Sequence, residues 1–434
     1  MTKTLRVGVA GLGFVGAATV KLLQNQAPLL RLRCTRDILV TAVSARDKSK
    51  DRGISMEGIK WHDNPLDISN DEHVDLVVET IGGSDGVAKE VVEKAIANGK
   101  HVVTANKALI AQSGTILAED AEQSGVALAF EAAVAGGIPI LKALREGLSA
   151  NRIDGVYGIL NGTCNYILTC MRETGKEFEE VLQDAQKLGY AEEDPSFDLD
   201  GIDAAHKLAI LSSLAFGLKI DFGAVHVEGI RHITLLDIEF AQELGYRIKL
   251  LGITRQSARG IEQRVHPCMV PLDAPIAHIE DVFNAVVVHG DQVGTTMYEG
   301  RGAGAGPTSS AIVADIVDIA LDRFLPAFGL AANDLKTSNS LDMLERVASY
   351  YVRFTVIDRP GVFAEIATAL RDNNVSMEKI IQRGRAPGEP VRVVLTTHET
   401  KEKAILKTIQ AIDQTDAVVE PTRMIRIEPS VFLS

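Results

Sequence analysis

The six residues after the first strand-like run decide most of what this chain can become. Leu5–Ala10 is short, apolar and rich in β-branched residues. It runs straight into Gly11-Leu12-Gly13-Phe14-Val15-Gly16 and then a helical pattern over Ala17–Gln24. Strand, glycine-rich turn and helix in that order open a βαβ unit. The glycines permit a tight turn, let backbone approach a pyrophosphate and let helix and strand pack closely. The helix N-terminus supplies free N–H groups and the positive end of its dipole. Gly11, Gly13, Phe14, Val15 and Gly16 are therefore candidate dinucleotide-binding residues. Leu5–Leu23, with Arg6 and Lys21 near its ends, could pass for a signal peptide or membrane span. Four glycines interrupt it, and strand-turn-helix accounts for them better.

The rhythm continues through the first third. Strand signals fall at Ile38–Ser44, Val74–Thr80, His101–Thr104 and Val126–Ala129, with helix signals at Val87–Asn98 and Thr115–Ser124. This alternation predicts an α/β fold opening with a doubly wound parallel sheet, a Rossmann domain over residues 1–130. From about residue 131 to 323 strands and helices mix without βαβ order, which predicts an α+β catalytic and dimerisation domain. Its helices are expected at Ile138–Leu148, Asn165–Glu173, Phe178–Leu188 and Ile202–Phe216. Its strands are expected at Val156–Leu160, Tyr246–Thr254, Cys268–Pro271, Ala285–His289 and Val293–Tyr298. A helix at about 307–323 is expected to return to the first domain. Residues 324–348 read as a connector. From 349 to 434 the order is βαββαβ, a ferredoxin-like pattern.

At 434 residues the chain has room for two or three domains, and 46% hydrophobic residues exclude a mainly disordered protein. A formal charge of -13 without basic runs argues against nucleic acid and anionic membrane as partners. Four cysteines in this length are no disulfide framework and point to reduced thiols and the cytoplasm.

Several clusters suggest chemistry. The second strand ends Val43-Ser44-Ala45-Arg46-Asp47-Lys48. No acid stands at its tip to take a ribose 2′-hydroxyl, while Ser44, Arg46 and Lys48 suit a 2′-phosphate. This favours NADP and leaves NAD possible through Asp47. Gly189 to Lys207 (GYAEEDPSFDLDGIDAAHK) is the densest cluster, with six carboxylates ahead of a helix. Asp200 is the expected N-cap, and Asp203 and Lys207 share a helix face. A solvated helix start with a surface ion pair explains the pattern equally well. Thr104-Ala105-Asn106-Lys107 follows a strand where parallel sheets form their ligand crevice, so Lys107 could face cofactor and substrate together. Asn161-Gly162-Thr163-Cys164-Asn165-Tyr166 could bind a carboxylate or cap a helix. The ten histidines show no zinc spacing, and Cys164 and Cys170 read as core. His206 reads as a supporting residue.

Taken together, these stretches resemble the homoserine dehydrogenase family across the whole chain. The carriers are GLGFVG at 11, VETIGG at 78, TANK at 104, EAAVAGGIP at 131, NGTCNYIL at 161, the acidic motif at 189 and GRGAGAGPTSSAIVADI at 300. Asp358-Arg359-Pro360-Gly361-Val362-Phe363 makes the last segment look like an ACT domain. The resemblance implies reversible reduction of L-aspartate 4-semialdehyde to L-homoserine with NAD(P)H. Lys207 would give the proton, with Lys107 and Asp203 beside it in the catalytic group. Glu192, Asp198, Asp203 and Lys107 would hold substrate, with Asp203 serving its ammonium. Thr80, Lys107, Gly189, Gly302 and Gly306 would join Arg46 and the glycine loop at the cofactor. A structural sodium ion would sit on carbonyls of Glu131, Val134, Gly136 and Ile138. The ACT segment would bind L-threonine near Asp358–Phe363, with Asn373 and Asn374 nearby, and pair across subunits of a homo-dimer or homo-tetramer. It would be removable without loss of catalysis. Another ACT-containing dehydrogenase, or a non-catalytic amino-acid sensor, are the rival readings.

Overall fold

The computed structural model describes residues 4–384 and 387–429. The outermost residues of the first and last expected domains lie outside it. Six strands form the first sheet: β1 (Leu5–Ala10), β2 (Ile38–Ser44), β3 (Lys60–His62), β4 (Leu76–Glu79), β5 (His101–Thr104) and β6 (Leu128–Ala129). They lie in the order β3-β2-β1-β4-β5-β6, every pair parallel. This is the expected doubly wound sheet. Its direction of winding reverses between β1 and β4, where such sheets open a ligand crevice.

Both faces are covered, so Val7, Val9, Leu76 and Val78 are completely buried. Helix Phe14–Asn25 packs with helix Ala305–Ala320 on one face, and Ile312, Ile316 and Ile319 of the latter enter that core. Helices Val87–Ala97 and Lys107–Gln123 cover the other face. Three elements here carried no clear sequence signal: helix Ala27–Cys34, strand β3 and helix Leu66–Asn70. The helix Lys107–Gln123 begins well before the expected Thr115, because Asn106 caps it by accepting the Leu109 N–H at 3.1 Å.

The remaining strands are β7 (Ile153–Ile159), β8 (His226–Val227), β9 (Tyr246–Ser257), β10 (Gly260–Pro271), β11 (Phe283–Gly290), β12 (Gly294–Arg301), β13 (Val347–Ile357), β14 (Met377–Gln382), β15 (Pro390–Thr397), β16 (Thr400–Lys401) and β17 (Val418–Ile427). They form one sheet, ordered β12-β11-β7-β9-β10-β17-β13-β15-β14, with β8 joined to β10 and β16 to β13. The final segment has the expected βαββαβ core, with helices Val362–Asp372 and Glu402–Asp413. It is not the separable appendage the connector suggested. β17 pairs with β10 in parallel at Cys268↔Arg426 and Met269↔Ile427, joining the strands of the final segment edge to edge to those of the central domain. Tyr351, Val394, Ile425 and Ile427 belong to the core of the central domain.

Buried ion pairs fasten this seam. Glu428, just past β17, accepts from Arg264 at 2.8 Å and from Arg346 at 2.5 Å, all within the interior. Arg426 reaches Glu228 at 2.8 Å and also pairs with Glu402. Arg353 of β13 bonds Asp237 at 2.7 Å, and the Tyr351 hydroxyl donates to the same carboxylate. Breaking a buried pair from one side strands a charge, which costs far more than a surface pair is worth. Glu428→Ala strips Arg346 of its carboxylate and leaves Arg264 only Glu262 at 3.3 Å, and should destabilise the protein by about 3–5 kcal/mol. Urea unfolding checks this. A loss no larger than that of an exposed pair would show that the seam is held by other contacts.

Candidate active site

The cofactor end is built first. Gly11 has φ +99°, and a Cβ there would lie 2.8 Å from the Thr80 carbonyl oxygen. A Cβ on Gly16 would lie 1.9 Å from the Gly11 oxygen, so helix and turn touch backbone to backbone. Gly13 differs: nothing lies within 4 Å of its Cβ position. The turn is open on that side. Thr80 donates its hydroxyl to the Gly11 carbonyl at 2.7 Å and so holds the turn.

A cavity of about 670 Å³ spreads over this turn, lined by Gly11, Gly13, Ser44, Arg46, Asp47, Lys50, Arg52 and Thr80 among others. Arg46 is exposed at its wall. Asp47 turns its carboxylate back onto Ser49, accepting from its N–H and hydroxyl, which holds its pKa below the usual range. Arg52 was not singled out from sequence. It donates to the carbonyls of Leu12, Lys50 and Asp47 and lies over the Trp61 ring, tying the loop after β2 to the glycine turn. Phe14, Val15, Gly16, Lys107, Gly189, Gly302 and Gly306 do not line this cavity. Phe14 is exposed at the helix start. Gly302 is packed tightly against Asn284 and Gly136, whereas Gly189 and Gly306 have open space at their Cβ positions.

Further along the crevice, buried Glu79 braces the loop after β4. It accepts from the Ile81 and Gly82 N–H groups and from the Thr104 hydroxyl. An acid ending an apolar strand was the available signal for it. Thr104 in turn receives the Asn106 N–H, and Asn106 starts the helix that presents Lys107.

The acidic motif supplies the opposite wall. Asp203 lies in the first turn of helix Ile202–Phe216, as expected, but Gly201 is the N-cap and Asp200 instead pairs with Arg231 at 2.6 Å. Asp203 is fully buried between two ammonium groups: Lys107 Nζ at 2.9 Å and Lys207 Nζ at 2.7 Å. Its second oxygen also accepts from Asn161 at 2.8 Å. Both oxygens carry partners, and burial settles the question the sequence left open: this is an enclosed ion pair and not a solvated helix start. Glu192 is exposed, and its charge acts on Lys107. Asp198 bonds Asn161 at 2.8 Å and the Thr163 hydroxyl at 3.0 Å.

Burial alone would raise the Asp203 pKa, but Lys207 and Lys107 overrule it and hold the carboxyl well below its ordinary value. Burial likewise lowers Lys107, yet Asp203, Asp198 and Glu192 bring the net shift upward. For Lys207 burial prevails. With Lys107 adding to it against the pull of Asp203, the ammonium is easier to deprotonate than an ordinary lysine. Lys207 Nζ also donates to the Leu160 carbonyl at 2.7 Å. An ammonium has three N–H donors, so among the described residues one remains for a ligand. Phe197 lies over Lys107, with the ammonium 5.6 Å from its ring centre, and packs on His206. His206 sits between Phe197 and Phe222, and burial holds it neutral.

The expected cation loop is buried. Ala135 and Gly136 are consecutive left-handed residues. The Ile138 and Glu131 carbonyls accept from the Ile140 and Val134 N–H groups. Those of Val134 and Gly136 accept none among the described residues. Burial, with Asp315 adding, pushes the Glu131 carboxyl up to about 8. A second cluster, His266, Cys268 and Glu428, has metal-ligand chemistry. Burial and the guanidiniums of Arg426, Arg264 and Arg346 keep His266 neutral, and the same positive field opposes a cation.

Comparison with known proteins agrees with this geometry. Family models match three stretches: the homoserine dehydrogenase NAD-binding domain at residues 11–131, homoserine dehydrogenase at 139–317 and the ACT domain at 350–415. A homoserine dehydrogenase of Neisseria gonorrhoeae is 46% identical over 98% of this chain and 99% of its own. One from Pseudomonas aeruginosa is 44% identical over the same shares. The chain belongs to the homoserine dehydrogenase family. The crystal structure of a homoserine dehydrogenase from Thiobacillus denitrificans superposes with TM-score 0.93 at 45% identity, covering 99% of both chains. A hyperthermophilic archaeal homoserine dehydrogenase, solved in complex with NADPH, shares the fold at TM-score 0.64 and 24% identity over 75% of this chain and all of its own. The protein is therefore an oxidoreductase that interconverts L-aspartate 4-semialdehyde and L-homoserine using a nicotinamide dinucleotide. No helix among the described residues is long and apolar enough to cross a membrane.

The two inner glycines should respond differently to a methyl group. Gly16→Ala drives a Cβ into the Gly11 carbonyl and should cost at least about 2 kcal/mol of stability. Gly13→Ala should change stability by no more than about 0.5 kcal/mol while weakening dinucleotide binding markedly. Thermal unfolding and a fluorescence titration with NADPH separate the two effects. Equal losses of stability would contradict the assignment of Gly13 to the ligand face.

Proposed function

We propose that Lys207 is the proton donor to the aldehyde oxygen in homoserine formation and, as neutral amine, the acceptor of the hydroxyl proton in the reverse direction. The observation that carries this is the buried Lys107–Asp203–Lys207 array, with Lys207 eased toward deprotonation and one N–H unused. A general acid works best with its pKa near working pH, and burial moves Lys207 that way. When bound, the nicotinamide supplies or accepts the hydride at its C4. Asp203 holds the two lysines in place and keeps Lys207 from losing its proton too readily. Lys107 lines cofactor and substrate together. Glu192 receives the substrate ammonium, and Asp198 supports that network.

We assign Gly11, Gly13, Phe14, Val15, Gly16 and Thr80 to the dinucleotide phosphates, with Gly189, Gly302 and Gly306 along the cofactor. Of these, Gly302 has the weakest support because it is packed shut. Arg46, exposed at the cavity wall, favours NADP, in keeping with the NADPH complex of the archaeal relative. The buried loop of Glu131, Val134, Gly136 and Ile138 suits a hard monovalent cation such as sodium, held through carbonyl oxygen. Its unpaired Val134 and Gly136 carbonyls support that reading.

L-Threonine is the proposed effector of the ACT segment, near the turn before helix Val362–Asp372. Gly361 caps that helix with φ +98° and no side chain of its own, leaving its N–H groups for an anion. Asn373 and Asn374 do not belong to that site. They lie at the far end of an eleven-residue helix, about 16 Å away at 1.5 Å per residue, and Asn373 bonds the Ala369 carbonyl. The protein is proposed to work in the cytoplasm as a homo-dimer or homo-tetramer. Its outer strands β12 and β14, which expose Met297, Met377 and Ile380, are available for pairing between copies.

Lys207→Met should lower homoserine oxidation by ~10²-fold or more, as for loss of a general base, with NADP affinity unchanged. Steady-state kinetics and a binding titration decide, and near-normal turnover would remove Lys207 from the mechanism. Arg46→Ala should weaken NADP far more than NAD, because a charge-assisted bond to the 2′-phosphate is lost. Equal effects on the two dinucleotides would return Arg46 to the solvated surface.

A further inference from the structure

Asn161 stands two residues beyond β7 and caps helix Gly162–Thr174. Its side-chain oxygen accepts the Cys164 N–H at 2.8 Å. That bond settles the orientation of the amide, since the flipped form would set donor against donor. The NH₂ group therefore faces two carboxylates, Asp198 Oδ1 and Asp203 Oδ2, each at 2.8 Å. Asp203 Oδ2 is also the oxygen that pairs with Lys207. A neutral donor and an ammonium thus share one acceptor, and Asn161 is itself buried.

We infer that Asn161 is a positioning residue for proton transfer: its amide ties Asp198 to Asp203, holds the shared carboxylate between the lysines and loosens the grip of Asp203 on the Lys207 proton. The inference rests on the assignment of Lys207 as proton donor. A hydrogen bond donated to a carboxylate disperses its charge, so less of it is available to stabilise the neighbouring ammonium. Lys207 is surrounded by charge and titratable groups from every element packed on it. These are Asp203 and His206 on its own helix, Lys107 across the crevice, Asp198 on the short helix Ser196–Leu199 and the Cys164 thiol on helix Gly162–Thr174. Asn161 is neutral at every pH, so its effect is a constant offset on the proton affinity of Lys207.

A plain helix cap is the competing role, and two substitutions separate them. Asn161→Ser keeps a competent cap but is too short to span both carboxylates. Asn161→Asp keeps the shape and the cap and adds a third negative charge. The direct readout needs no substrate. Lysine labelled with ¹³C at Cε is titrated by NMR in the full-length enzyme, and the Lys207 signal is assigned by its loss in Lys207→Met. The midpoint of Lys207 should rise by roughly half a unit or more in both variants, further in Asn161→Asp. The alkaline-going rise of homoserine oxidation should move with it. Melting of Asn161→Ser should stay close to wild type. An unchanged Lys207 midpoint, whatever the loss of stability or activity, would reduce Asn161 to a cap. A raised KM for homoserine with the pH profile unmoved would reassign it to substrate binding and overturn the proposal. If Lys207→Met still oxidises homoserine at a near-normal rate while the Lys207 midpoint moves in the Asn161 variants, the proton-donor assignment fails and the electrostatic role of Asn161 stands.

Discussion

A single buried carboxylate organises this protein. Taking Asp203 out of water is unfavourable unless its charge is met by opposite charge and by hydrogen bonds. Lys107, Lys207 and Asn161 meet it, and they come from three different parts of the fold. Lys107 belongs to the helix that follows β5 of the parallel sheet. Lys207 shares a helix with Asp203, and Asn161 caps the helix that follows β7 of the large sheet. The site therefore exists only when the two sheets are packed together. The strand before Lys107, β5, lies next to β4 in the parallel sheet. Fold and chemistry are joined at one charge.

That charge also gives the two lysines different characters. Both are partly or fully withdrawn from water, and both touch Asp203. Lys107 also feels Asp198 and Glu192, which strengthens its hold on the proton. Lys207 is more deeply buried and sits close to the positive charge of Lys107, which weakens its own. A pair of groups whose environments push their proton affinities apart is what acid and base work requires. The far segment is bound to this arrangement more closely than a connector implies. Glu228 pairs with Arg426 of β17, while the neighbouring Ile230 N–H bonds the Leu199 carbonyl and Arg231 pairs with Asp200 of the acidic motif. Removing the ACT segment would take away Arg426 and Glu428 together, leaving buried Arg264 with Glu262 alone and the edge of β10 without β17. Its effect on catalysis would then report damage to the seam rather than the loss of a regulator.

Much of this was legible in sequence, and the pattern of success is physical. β1, β2, β5 and helix Ile202–Phe216 begin and end where local signals placed them, because glycines and apolar runs mark them without reference to partners. The glycine turn was readable for the same reason. The C-terminal third alone of β10 was read as strand, because Arg264 and His266 interrupt its apolar pattern. Both residues are buried: Arg264 is met by Glu428, distant in sequence, and His266 by Arg264, Pro267 and Cys268 beside it. The β10–β17 pairing left no local trace. The role of Asp203 was ambiguous because a residue four places from a lysine looks the same whether the pair is solvated or enclosed. Only the packing of Lys107 and Asn161 around it decides. Asn106 was read as a crevice residue and not as the start of a helix, which displaced that helix in the sequence reading by two turns.

The most direct test of the central claim is the pH dependence of homoserine oxidation in Asp203→Asn, measured beside the wild type with melting temperature as a control for folding. If the buried carboxylate holds the proton on Lys207, its loss lets that proton go more easily. The rise in rate with pH should then begin at lower pH than in the wild type, on a reduced maximum. A rise at the wild-type position, or at higher pH, in a folded Asp203→Asn protein would contradict the account.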